Sequence, residues 1–268
     1  MTNCSRRRMM NQTPNEMLKQ NLRGLRLKDM AQALDDVLQK AEKEKAGHLE
    51  FLAMLVYVQM SAMKQRSLSR RICLANFPRD MTFDNFDWGF QPGLNVEQLK
   101  NLATLHFVAN HHPLLILGKT GAGKTHIAAA LGIEACKAGL RVGFYKFQEL
   151  MSYLYTTLAD DTTDEAVGKL SRLDLLIIDH IGFIRKKDEY PSLLFDLICA
   201  CQDRVSLIVT SGISLEDWGM AFGNNAITND IVDRLFHRAN VINIRQAKSY
   251  RTEGPNAPQL TFPENTDS

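Results

Sequence analysis

The chain reads as an α/β protein: a five-stranded parallel sheet with helices on both faces, preceded by a small all-helical N-terminal domain. Three observations predict this. The apolar run Leu114-Leu115-Ile116-Leu117 leads straight into Gly118-Lys119-Thr120-Gly121-Ala122-Gly123-Lys124-Thr125, the G-x-x-x-x-G-K-[ST] pattern of a phosphate-binding loop between strand and helix. From there short apolar runs alternate with stretches of helical periodicity, as in a sheet whose strands are buried on both faces. From Leu27 to the approach of Pro78 the apolar spacing turns helical.

The elements follow in order. Residues 1–12 are polar, carry Arg6-Arg7-Arg8 and are expected to be a disordered basic start, with Met9 and Met10 as alternative initiation points. Residues 13–80 form the helical domain. There Leu27, Met30, Ala31, Leu34, Val37 and Leu38 share one helical face. A second helix begins after Gly47, runs through Leu55 and Val56, and turns basic before Pro78 limits it. Residues 81–95 are an aromatic linker with Phe83, Phe86, Trp88, Phe90 and Pro92-Gly93. The nucleotide-type domain spans 96–248, with a helix from about Val96 to Phe107 and strands near 114–117, 141–146, 174–179, 205–210 and 240–244. The tail, 249–268, holds Pro255, Pro258 and Pro263 and reads as disordered.

Composition narrows the class. At 268 residues the chain has room for one α/β domain and a smaller accessory unit. Lys and Arg number 32 against 30 Asp and Glu, so affinity for nucleic acid has to come from local clusters of charge. The five cysteines show neither metal-type spacing nor a secreted disulfide pattern, which suits a reducing compartment. No apolar run approaches the roughly 18 to 20 residues of a membrane span, and no signal peptide follows the basic start. The expectation is a cytoplasmic protein with no membrane partner.

The phosphate loop carries the chemistry. Gly118, Gly121 and Gly123 let backbone N–H groups turn toward a triphosphate, and the helix opening near Lys124 adds its positive end. The nucleotide-contacting set is Gly118, Lys119, Thr120, Gly121, Ala122, Gly123, Lys124, Thr125 and His126. Lys124 is placed to reach the β- and γ-phosphates and Thr125 to ligate Mg²⁺, so ATP and Mg²⁺ are the expected cofactors. A Gly-rich turn with a chance Lys-Thr is the alternative, but it does not explain the buried strand before it or Ile127-Ala128-Ala129-Ala130-Leu131 after it.

Leu175-Leu176-Ile177-Ile178-Asp179 is a buried strand ending in an acid, the form of a Walker B motif, with Asp179 as the second Mg²⁺-side group. The next position in hydrolytic ATPases of this layout is usually a Glu that deprotonates water. Here it is His180. A neutral imidazole accepts a proton but is bulkier and lacks the carboxylate's charge, so slow hydrolysis is expected. The fourth strand ends Thr210-Ser211-Gly212, where a polar sensor of the γ-phosphate is common; Gly212 has no side chain to offer, which leaves Thr210 or Ser211.

These residues resemble a specific family, the IstB-type transposition helper ATPases of bacterial insertion sequences, related to the helicase loader DnaC within the AAA+ initiator group of P-loop NTPases. The resemblance covers nearly the whole chain. It rests on Leu25 to Met30, Phe83 to Gly93, the P-loop, Leu175 to Gly182, Asp217-Trp218-Gly219 with Phe222-Gly223, Asp233-Arg234-Leu235, Val241 to Ile244 and Ser249-Tyr250-Arg251. The departures are His180, where the family usually has an acid, and Gly212, where it has Asn or Gln. The resemblance implies ATP-dependent self-assembly, as oligomer or filament, on duplex DNA, and recruitment of a partner transposase. A replicative helicase loader is the alternative role, and a small-molecule P-loop kinase a more distant one without its arginine-bearing lid.

The resemblance also implies that Arg234 reaches a neighbouring subunit's γ-phosphate as a catalytic arginine; the other reading is a local ion pair with Asp230 or Asp233. Arg251 matches the family's Ser-Tyr-Arg context but has no helical lid after it. Lys64, Arg66, Arg70 and Arg71, with Arg79, are DNA-phosphate candidates or simply a solvated helix face. Arg185, Lys186 and Lys187 are a second DNA candidate or an exposed loop. His111-His112 and Cys199-Ala200-Cys201 lack the further ligands of a metal site. The aromatics from Phe83 to Phe90 are read as packing, with adenine contact as the alternative for Phe86 or Trp88.

Overall fold

The computed structural model describes residues 13–79, 81–91, 94–182, 187–214, 217–222, 225–244 and 249–250. The expected disordered start, 1–12, and residues 251–268 of the tail expected from 249 lie outside them; Tyr250 is described and packs on Phe90. Contacts divide the chain into two compact units between Arg70 and Arg71, ten residues ahead of the boundary expected from the sequence.

The first unit is helical. Helix α1, Pro14–Gly24, opens on a capping box: Glu16 N–H donates to the Thr13 hydroxyl at 3.3 Å and Thr13 N–H to the Glu16 carboxylate at 3.0 Å, with Pro14 pre-setting the first turn. Helix α2, Lys28–Glu44, ends at Lys45 in the left-handed conformation. Helix α3, His48–Ala75, is the long one. Leu22, Met30, Ala31, Leu34, Val37 and Leu55 form the core between them. The buried Gln59 of α3 accepts the Asp29 and Met30 N–H groups at 3.1 and 3.2 Å, satisfying amides at the start of α2 that no helix can satisfy itself.

The second unit is built on five parallel strands, β1 (Leu114–Gly118), β2 (Val142–Lys146), β3 (Leu175–Ile181), β4 (Ser206–Ser211) and β5 (Asn240–Ile244), in the order β2-β3-β4-β1-β5. Two short helices precede the sheet: α4, Val96–Ala103, and α5, His106–Ala109. The single helix expected from Val96 to Phe107 is broken at Leu105, whose φ of 61° is left-handed. Helix α6, Lys124–Lys137, follows the P-loop; α7 (Phe147–Thr157), α8 (Thr163–Leu170), α9 (Tyr190–Cys201), α10 (Trp218–Phe222) and α11 (Asn225–Phe236) complete the unit.

Strand alternation divides the core. Leu115, Leu176, Ile178, Leu207 and Val209 pack with Phe147, Leu150, Leu194, Trp218 and Leu235 on one side. Ile177 turns to the other, where Gly132 lets α6 come close: a Cβ there would meet Ile177 Cδ1 and Phe77 Cε1 at 2.7 Å. The burial of Cys136 and Cys201 pushes their thiols up to about 11 and about 12, so both act as apolar core atoms at neutral pH.

Candidate functional site: a phosphate loop and its acid

The C-terminal ends of the strands carry the site. After β1, Gly121 and Gly123 take φ of 83° and 92°, which a side chain rarely allows, and turn the loop into the first turn of α6. The Lys124 side chain is almost fully buried, and its ammonium donates to the Gly118 and Lys119 carbonyls at 2.8 and 2.9 Å. The loop therefore holds its own lysine over the place where phosphate oxygens are received.

Asp179 is buried at the end of β3 and brought to the loop from 54 residues away: the Thr125 hydroxyl lies 3.0 and 3.1 Å from its two carboxylate oxygens. A hydroxyl and a carboxylate, both hard oxygen donors, are the ligand types Mg²⁺ takes beside phosphate, so the residues present fit that ion.

One feature of β3 sets this geometry. Ile178 pairs with Val209 and Ile181 with Ser211, so Asp179 and His180 together span a bulge facing the single residue Thr210. His180 sits at φ 68°, a left-handed conformation that costs free energy in a non-glycine residue, although His is among those that tolerate it best. Thr210 closes the bulge. Its hydroxyl donates to Asp179 Oδ1 at 2.7 Å and accepts the His180 N–H at 2.8 Å. The His180 side chain is exposed into the cleft.

Neither sensor candidate faces the phosphates. Thr210 is fully buried and committed to Asp179 and His180; Ser211 is fully buried, accepts the Trp218 indole N–H at 3.2 Å and lies 3.0 Å from the Ile181 carbonyl. Space does exist at Gly212, where an added Cβ would meet nothing within 4 Å.

The cleft measures about 790 Å³ and runs from Lys146, Asp179 and His180, past the loop, to Arg79, Phe86, Phe90 and Tyr250. Phe86 is nearly buried against the loop, 3.1 Å from the place a Cβ of Gly123 would occupy, and stands edge-on to His126. It is both packing and cleft wall. Trp88 is packing alone: it contacts Phe83 and Phe86 and does not line the cleft. His126 bonds through Nε2 to the Thr82 carbonyl at 2.7 Å, which ties the aromatic segment to α6, and it also lines the cleft. Tyr250 packs on Phe90, and its N–H donates to the Gly121 carbonyl at 3.0 Å.

Sequence reasoning missed Lys146. It ends β2 in register with Asp179, lines the same cleft and pairs with Glu149 at 2.8 Å. That pair holds the ammonium pKa above the usual lysine range, with the Asp179 charge adding to it. Its signal was available, since the last residue of a strand beside a Walker B strand points to the same sheet end.

The family model for IstB-like ATP-binding proteins matches residues 20–256. A protein of insertion sequence IS21 from Pseudomonas aeruginosa, described as ATP-binding, is 33% identical over 227 residues, covering 85% of each chain. The chain belongs to the IstB-like ATP-binding protein family. A relative of this IstB-like chain in insertion sequence IS232 of Bacillus thuringiensis is 31% identical over 88% of this chain and 94% of its own. Among solved structures, AMPPCP-bound DnaA from Aquifex aeolicus matches with a TM-score of 0.54 at 21% identity, over 66% of this chain and 53% of that one, which places the second unit in the AAA+ fold.

The remaining expected residues of the IstB-like chain fall elsewhere. Arg234 lines a depression with Pro113 and Val205, at the end of the sheet where β1 and β4 begin, opposite its own P-loop. Its guanidinium donates to Gln202 Oε1 at 2.6 Å and lies over Phe195, rather than on Asp230 or Asp233. Arg66 is bound to Asp29 by two hydrogen bonds of 2.6 and 2.7 Å, so its charge is met within the helical unit. Along the helix Arg66 and Arg70 stand about 200° and 240° round from Lys64, so these three cannot line one phosphate track. Arg71 approaches Gly139, at the C-terminal end of α6. Lys187 covers the Tyr155 ring at 3.3 Å; Arg185 and Lys186 lie outside the described residues.

Proposed function

We propose that this chain is a transposition helper that binds ATP with Mg²⁺, assembles on duplex DNA when ATP is bound, and recruits or stimulates a partner transposase. The observation carrying the reading is that Lys124, Thr125 and Asp179 line one cleft of about 790 Å³, with the Thr125 hydroxyl already on the Asp179 carboxylate. Family membership among insertion-sequence proteins supports the transposition setting.

The protein's part is charge and position. An arriving triphosphate draws the Lys124 ammonium from the two loop carbonyls to its β- and γ-oxygens, while loop N–H groups bind the same anion. Thr125 and Asp179 would hold Mg²⁺, which would supply neutralisation of phosphate charge. Thr210 keeps Asp179 aimed, and Lys146 adds a second cation to the cleft. His180 occupies the place of the water-activating acid, so turnover is slow and the ATP state is long-lived. Arg234, displayed at the opposite end of the sheet, serves a neighbour's nucleotide rather than its own.

Electron microscopy with duplex DNA, with and without ATP, tests the assembly. Lys124→Ala is expected to lose ATP binding and ATP-dependent assembly together; unchanged nucleotide affinity in that variant sinks the assignment.

A further inference from the structure

Two side chains usual at the metal end of such a cleft are missing from this one. Position 180 carries an imidazole in place of a carboxylate, and Gly212 follows β4 with no polar group to offer. Thr210 and Ser211 are buried and committed to partners of their own. A different strand supplies a charge instead. Lys146, the last residue of β2, lines the cleft together with Asp179 and His180.

Strand register fixes the side on which this lysine leaves the sheet. Phe144 pairs with Ile177 and Lys146 with Asp179, and side chains two residues apart on a strand share a face. Ile177 meets α6 at Gly132, so Lys146 projects to the P-loop side. Neighbouring strands lie about 4.8 Å apart, a gap that a lysine's four-carbon stem spans. The ammonium therefore reaches the surroundings of Asp179 and the Thr125 hydroxyl. Its present partner is Glu149, on the first turn of α7, at 2.8 Å, with the two side chains 56% and 60% exposed. A pair so open to water is weak, and a phosphate oxygen can take the lysine from it.

We infer that Lys146 binds the γ-phosphate and is the residue by which this chain tells ATP from ADP, exchanging Glu149 for the nucleotide when a third phosphate is present. The inference rests on the ATP reading given above. Loop N–H groups cradle the α- and β-phosphates, which both nucleotides carry, so they give affinity with little choice between the two. A cation beside Asp179, on the metal side of the loop, meets the charge that only ATP adds. The exchange is one of ion pairs, with no bond made or broken.

Equilibrium binding of fluorescent ADP and of a fluorescent, nonhydrolysable ATP analogue to the full chain, with Mg²⁺ and without DNA, tests this. Lys146→Met keeps most of the stem and removes the charge. It is expected to lose roughly tenfold in affinity for the ATP analogue and less than about twofold for ADP, with circular dichroism unchanged. Lys146→Arg, which keeps a cation at the position, retains most of the preference. Glu149→Gln removes the competing carboxylate and strengthens binding of the analogue roughly threefold while ADP affinity stays the same. Lys146→Met that loses both nucleotides equally, or neither, overturns the proposal, as does Glu149→Gln that fails to strengthen the analogue. Failure of the ATP reading itself looks different: wild type binds neither nucleotide, or Lys124→Ala binds both as wild type does, and the role of Lys146 falls with the site.

Discussion

At position 180 the chain trades an acid for an imidazole in a backbone conformation that few side chains accept. His180 is exposed into the cleft at φ 68°, and its N–H is fixed by Thr210. A positioned general base contributes about 10² to 10⁴ in rate, so His180→Glu is expected to accelerate single-turnover hydrolysis with DNA present, while His180→Ala stays as slow as wild type. Fast wild-type turnover that collapses in His180→Ala would make the imidazole a competent base. Gly212→Asn adds to the test, because an added Cβ there meets nothing within 4 Å. Part of this scale was legible beforehand: the Thr125 hydroxyl and the Asp179 carboxylate come together from 54 residues apart. The duties of Thr210 and Ser211 were not, because a hydroxyl's partner depends on the register between strands 30 residues apart, which a linear pattern does not contain.

The bulge in β3 belongs to the scale of elements. Thr210→Val keeps the shape of the side chain but takes the buried partner from the His180 N–H and leaves Asp179 Oδ1 with the Thr125 hydroxyl, at a cost of about 1–3 kcal/mol. Denaturant unfolding should register that loss, and Mg²⁺-dependent nucleotide affinity should fall with it; Thr210→Ser should preserve both. The helical unit has its own sensitivity. Hydrogen bonds from Arg66 hold the Asp29 carboxyl below the usual carboxylate range, and those from Lys19 do the same to Asp35. A carboxyl depressed in the folded state adds stability above its unfolded value of about 3.9 and loses it as pH falls through the folded value. Helical circular dichroism is therefore expected to weaken below about pH 4, and less so in Asp29→Asn, which lacks the Asp29 share of that contribution and keeps that of Asp35. Strand positions were readable as apolar runs, and α2 and α3 from periodicity. Helix α1 was missed although Thr13-Pro14-Asn15-Glu16 announces it, because its exposed Met17 and Leu18 blur the apolar face on which periodicity relies.

For the whole molecule, the sheet separates what one chain can do from what two can do. The P-loop lies at one end of the strands and Arg234 at the other. Arg234→Ala subunits mixed with Lys124→Ala subunits are expected to recover some ATP turnover or assembly that neither has alone; failure to complement, with both folded, leaves Arg234 to its contacts with Gln202 and Phe195. The strand order β2-β3-β4-β1-β5 carries a further consequence for the chain as it is made. Strand β1 finds both its partners late, β4 about 90 residues on and β5 about 125. A ribosome must release residue 244 before the strand beneath the phosphate loop is flanked on both edges. Until then the nascent protein carries the motif without the site, and its apolar β1 edge is open to pairing with other chains.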